Sequence, residues 1–219
     1  MSLHNKNKAS NSNNLRPSSH SEPEKTLVFN NGWIQKVEHQ LSPFFSPRKP
    51  KENINLLVIH NISLPAGSFG NNHITELFLG KLDTNAHSSF CDLNGLEVSA
   101  HCLIKRDGKI IQYVSFNNKA WHAGVSCFNE RDKCNDFSIG IELEGTDNIP
   151  YEEAQYQQLA LLAASLQNNY PQITNENIVG HCDIAPIRKT DPGKVFNWSH
   201  FRELLQQQTL INNNVSYKQ

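Results

Sequence analysis

The sequence predicts an α/β fold: a single domain in which a central mixed β-sheet is covered by helices. Three observations carry that expectation. Residues 55–60 (NLLVIH) form a short apolar run of the kind a buried strand requires. Residues 99–105 and 109–115 flank Arg106, Asp107 and Gly108, and an Asp-Gly pair between two such runs signals a hairpin. Residues 137–144 (FSIGIELE) alternate apolar with polar, and a helical pattern follows them. Strands and helices therefore alternate in the second half around a hairpin in the middle, which mixes parallel and antiparallel pairing in one sheet.

Taken in order, residues 1–25 are rich in Ser, Asn and Lys and offer Leu3 and Leu15 as apolar anchors, too few to offset the entropy of ordering. A disordered leader is expected there. The strand at 55–60 ends on His60. Residues 65–97 have weak periodicity and several turn residues, predicting a long loop with a short helix near 74–79; loops of that length often border a site. On the strand at 137–144, Phe137, Ile139, Ile141 and Leu143 share one face and Ser138, Gly140, Glu142 and Glu144 the other. Two carboxylates thus point the same way. Residues 152–170 place Tyr156, Leu159, Leu162, Ala163, Leu166 and Tyr170 at steps of three and four before Pro171 stops the helix. Trp198, Phe201, Leu204 and Leu205 mark a last helix, and the polar residues 206–219 read as a flexible tail, leaving 26–205 as the domain.

Composition narrows the function. A formal net charge of −1, from 20 basic and 21 acidic residues, creates no field suited to nucleic acid or an anionic membrane. No run approaches the ~20 apolar residues that cross a bilayer, and the first 25 residues hold no apolar signal core, so a cytoplasmic protein is expected. Five cysteines (Cys91, Cys102, Cys127, Cys134, Cys182), an odd number without a CxxC pair, suit free thiols in a reducing compartment.

The chain has ten histidines. His4 and His20 lie in the leader, and His39, His73, His87 and His200 sit in polar or turn-like contexts that read as surface. His60 ends a strand, and His181 follows the apolar run Ile178, Val179, Gly180 in a stretch that also holds Lys189 and Asp191. A catalytic zinc takes three His or carboxylate ligands and keeps a fourth position for water. His60, His181 and Asp191 fit that chemistry, but only the fold can assemble residues so distant in sequence. Glu142 and Glu144 remain equivalent by periodicity.

Longer segments are more specific: LLVIHNISLP (56–65), SAHCLIKRDGKIIQYV (99–114), AWHAGVS (120–126), CNDFSIGIELEGTD (134–147) and GHCDIAPIRKTDPG (180–193). Together, over roughly residues 32–205, they resemble the amidase-2 family, and within it the cytoplasmic amidases of Gram-negative bacteria acting on 1,6-anhydro-N-acetylmuramyl-L-alanine. The resemblance implies a fold like that of phage T7 lysozyme and the peptidoglycan recognition proteins. It implies one Zn2+ per chain held by His60, His181 and Asp191, with Glu142 and Lys189 catalytic. Asn61, next to the first ligand, is a candidate substrate contact. His101 and His122 are expected to be structural or pocket-lining, Trp121 a core residue, and Cys182 a small buried residue on an extended segment, facing away from His181. Glu97 and Lys133 stand where the proteins it resembles carry arginine, so either substrate anchoring differs here or those positions matter little.

The implied reaction is hydrolysis of the amide between muramic acid and L-alanine in cell-wall recycling. The implied partner is a small anhydromuropeptide, with no nucleic acid and no membrane, and the chain is expected to act as a monomer. Two alternatives stay open: a non-catalytic peptidoglycan-binding module, and a periplasmic amidase acting on intact wall.

Overall fold

The computed structural model describes residues 26–216 together with Met1, so all of the expected leader but its first residue lies outside the described residues. Six strands make the central sheet: β1 Glu38–His39, β2 Leu56–Ile62, β3 Cys102–Ile104, β4 Ile110–Gln112, β5 Ser138–Glu144 and β6 Ile178–Gly180. Their spatial order is β6-β2-β5-β3-β4-β1. The pairs β6/β2, β2/β5, β5/β3 and β4/β1 are parallel, and the β3/β4 hairpin is antiparallel. The sheet is mixed, as the sequence predicts. At the hairpin turn Gly108 takes φ +82° and donates to the Lys105 carbonyl at 2.9 Å, a left-handed conformation that glycine adopts without strain.

The helices are α1 His73–Phe78, α2 Glu153–Asn169, the single turn α3 His181–Ile184, and α4 Trp198–Ser216. Helix α2 follows the predicted stripe: Tyr156, Leu159, Leu162, Ala163 and Leu166 are buried, and a reciprocal capping box between Glu152 and Gln155 starts it. These side chains and Phe201 and Leu205 of α4 pack on one sheet face against Leu57, Ile59, Ile139, Ile141 and Leu143. The opposite face carries Leu56 and Val58, covered by Ala123, Cys134 and Ile184. Near the hairpin it carries Leu103 and Ile111, covered by α1. Strand β5 is buried along all seven residues, because both faces are covered.

Two local expectations change. Phe137 belongs with Leu56 and Val58 rather than with Ile139, because a 3-10 turn at Cys134–Asp136 precedes it and its φ/ψ of −127°/10° breaks the alternation. Helix α4 continues through Ser216, past the point where the composition suggests a tail. No glycine or proline interrupts residues 206–216, and Asn212 is buried where it accepts a hydrogen bond from Thr26 Oγ1 at 2.6 Å. Among the described residues, no helix is long and apolar enough to cross a membrane.

Candidate active site

The site forms at one end of the three parallel strands β6, β2 and β5. The sequence 56–60 alternates so that Leu56 and Val58 anchor one face of β2 and His60 follows them on that face. Glu142 of β5 is the register partner of His60. On the other side, Gly180 at the end of β6 pairs with Ile59, so the next residue, His181, opens α3 beside His60. Asp191 lies on the loop after α3, tied back by a hydrogen bond from the Cys182 N–H to its carbonyl at 3.0 Å.

His60 Nδ1, His181 Nδ1 and Asp191 Oδ2 form a triangle with sides of 2.9, 3.0 and 3.1 Å. His60 and His181 are only 1% and 2% exposed. A tetrahedral metal with bonds of about 2.0–2.1 Å spaces its ligands by about 3.3 Å, so small adjustments would seat one. Outer contacts agree. His181 Nε2 faces the Ala123 carbonyl at 3.1 Å, and since a carbonyl only accepts, that nitrogen carries the proton and Nδ1 turns its lone pair into the triangle. Burial brings the His60 pKa down to about 4, against the opposing contact with Asp191, so the ring is neutral at physiological pH as a metal ligand must be.

The two carboxylates on β5 have different surroundings. Glu144 accepts from the backbone N–H of Gly70 at 2.6 Å and of Arg106 at 3.1 Å, and so is used in holding two loops. Glu142 is buried and its Oε2 has no partner among the described residues. Burial first, then the charge of Asp191, raises its pKa well above the ordinary value, while Lys189 pulls the other way. Lys189, Asn61, Thr190 and Asp191 border an open cavity of about 500 Å3 beside the triangle. The Asn61 amide donates to Asp147 Oδ1 at 2.8 Å, and Thr190 Oγ1 donates to the other oxygen. Gly193, at φ +81°, lets this loop approach the Asp147 backbone, where an added Cβ would come within 2.3 Å.

Several expectations shift. Cys182 sits on the helical turn α3, not an extended segment, and is half-buried; helix geometry, not strand alternation, separates it from His181. Burial and the neighbouring Asp183 and Asp191 raise its pKa, which disfavours a thiolate nucleophile. His101 is fully buried, outside the triangle, and accepts from the Gly140 N–H at 3.0 Å. Trp121 is half-buried and donates to Ser46 Oγ at 3.1 Å. Glu97 and Lys133 are exposed, and neither lines the cavity beside the triangle. Sequence reasoning missed Asn135, Asp147 and Arg188. Arg188 donates to the carbonyls of Ala123 and Val125 at 2.7 and 2.8 Å, fixing the loop that meets His181. No periodicity marks these three, and only their place inside the longer segments could have drawn attention to them.

The family model for N-acetylmuramoyl-L-alanine amidase matches residues 50–194. The 1,6-anhydro-N-acetylmuramyl-L-alanine amidase AmpD of Citrobacter freundii is 54% identical over 179 residues, 82% of this chain and 95% of that protein. A crystal structure of a selenomethionine derivative of AmpD superposes with a TM-score of 0.80 at 54% identity, covering 82% of this chain and 99% of the other. Escherichia coli AmiD, solved with the substrate anhydro-N-acetylmuramic acid-L-Ala-D-γ-Glu-L-Lys, superposes with a TM-score of 0.50 at 29% identity, covering 83% of this chain and 66% of that one. Sequence, length and fold agree: this chain belongs to the N-acetylmuramoyl-L-alanine amidase family and is an amidase.

Proposed function

We propose that the chain is a zinc-dependent amidase that cleaves the bond between 1,6-anhydro-N-acetylmuramic acid and L-alanine of soluble peptidoglycan fragments, in cytoplasmic wall recycling. One observation carries the reading: the triangle of His60, His181 and Asp191 stands beside Glu142, a buried carboxylate with an unpartnered oxygen. The substrate class is supported by the name of the Citrobacter freundii relative and by the ligand in the AmiD complex. All five cysteines are free, which supports a reducing compartment.

When bound, zinc supplies Lewis acidity that polarises the amide carbonyl and acidifies water at its open position. Glu142 accepts the proton as water oxygen adds to the lactyl carbonyl carbon. It then delivers that proton to the L-alanine nitrogen as the C–N bond breaks, so a carboxylic acid and a free amine leave. Burial and the charge of Asp191 raise its pKa, which favours the protonated form that hands the proton to the nitrogen. Lys189, at the cavity edge, stabilises the negative oxygen of the tetrahedral species. Asn61 orients the substrate next to His60, with its amide held by Asp147. A binding module alone has no use for an unpartnered buried carboxylate beside three converging ligand atoms.

The test is product analysis by mass spectrometry, with 1,6-anhydromuramyl tripeptide offered to chelator-treated protein before and after zinc is restored. Peptide beginning with L-alanine should be released only with zinc. Undiminished release from metal-free protein would refute the zinc reading.

A further inference from the structure

We propose that His122 is a positioning residue for the metal centre: its Nδ1 accepts the outer proton of His60, thereby fixing which His60 nitrogen faces the triangle. This rests on the zinc reading above. His60 Nε2 lies 2.9 Å from His122 Nδ1, and the rings meet edge to face at 85°. A cation in the triangle needs the lone pair of His60 Nδ1, which puts the proton on Nε2, and His122 Nδ1 then has to accept it. His122 in turn carries its own proton on Nε2, which faces Ser138 Oγ at 3.1 Å, a hydroxyl able to accept. The chain of donors closes with each nitrogen used once.

The seat of the ring is built for this. A Cβ at position 140 would fall 2.3 Å from His122 Cγ and 2.4 Å from Nδ1, so only glycine on β5 leaves room for the imidazole. The backbone N–H groups of His122 and Ala123 both donate to Asn135 Oδ1, at 3.2 and 2.8 Å. The Ala123 carbonyl receives the outer proton of His181. One dipeptide, clamped by one asparagine, therefore serves the outer nitrogens of both imidazoles. The motif AWHAGVS thus holds the ligands without contributing one.

The experiment measures zinc affinity by competition with a chromophoric chelator, alongside circular dichroism of each metal-free protein. His122→Phe keeps a ring in the seat but removes the acceptor, and should bind zinc about 10–100-fold more weakly. His122→Asn places an amide oxygen where Nδ1 lay and should recover most of the affinity. Should the phenylalanine protein fail to fold, His122→Ala against His122→Asn gives the same comparison. Equal zinc affinity in wild type and the acceptor-less variant overturns the proposal, as does an asparagine variant no better than that variant. A wild-type protein that binds no zinc fails the metal reading itself, a result distinguishable from either.

Discussion

Glu142 and Glu144 are two residues apart on one strand face, yet opposite environments separate them. The partners of Glu144 are backbone N–H groups of Gly70 and Arg106, which come from segments far away in sequence, so alternation along residues 137–144 had no means of telling the two carboxylates apart. Only the longer segment resemblance pointed to Glu142. Glutamine at 142 keeps the shape and removes the proposed proton carrier, so Glu142→Gln should lower kcat by about 100- to 10,000-fold while zinc affinity stays near wild type. The same variant has a stability signature in metal-free protein. Burial raises the folded pKa of Glu142 above its unfolded value near 4.5, so the folded chain binds the proton more tightly and stability falls as pH rises above that value. Glutamine cannot ionise. Metal-free Glu142→Gln should therefore gain on wild type as pH climbs from about 4.5 until the folded pKa is passed, by about 1.4 kcal/mol for each pH unit climbed in that window. Urea unfolding at a series of pH values reads it; parallel curves would show that the carboxylate is not desolvated.

At the level of elements, the buried run at 55–60, the hairpin and the helix at 152–170 were legible because each reports its own packing through local periodicity. The start of β5 was not, since a 3-10 turn precedes it and rotates Phe137 onto the other face. Nor was the device that holds this turn. Arg48 follows the short strand Phe45–Pro47 and donates to four carbonyls: Phe116 at 3.2 Å, Asn135 at 3.2 Å, Asp136 at 2.9 Å and Ser138 at 2.8 Å. It thereby ties an outer strap to the 3-10 turn, to β5 and to the asparagine beneath His122. A lone arginine after a proline gives no periodic signal. Arg48→Met retains much of the stem volume but leaves those carbonyls without their donor, and should cost about 2–3 kcal/mol. A lower urea midpoint with unchanged slope would register it; an unaltered midpoint would mean that water replaces the guanidinium at no cost.

For the whole molecule, the informative fact is how far apart the converging residues are. His60 and His181 are 121 residues apart, and what joins them is the parallel pairing of β6 with β2, which sets Gly180 against Ile59. No spacing rule anticipates that pairing, which is why the triad was weak evidence until whole segments were compared. On the proposed zinc reading, the same topology would make the metal a staple between the first and last thirds of the chain. An unfolded chain cannot present the triangle, so on that reading zinc would bind the folded state and stabilise it by RT ln(1 + [Zn]/Kd), about 2.7 kcal/mol at a hundredfold excess over Kd. For a chain of 219 residues each kcal/mol raises Tm by about 2–4 °C, giving a rise of about 5–11 °C between chelator-treated and zinc-loaded protein. Asp191→Ala removes one corner of the triangle and should abolish most of that rise, while its metal-free Tm shows whether the fold tolerates the change. Scanning calorimetry with and without chelator makes the comparison, and a wild-type Tm indifferent to zinc would mean that the three side chains converge without holding an ion.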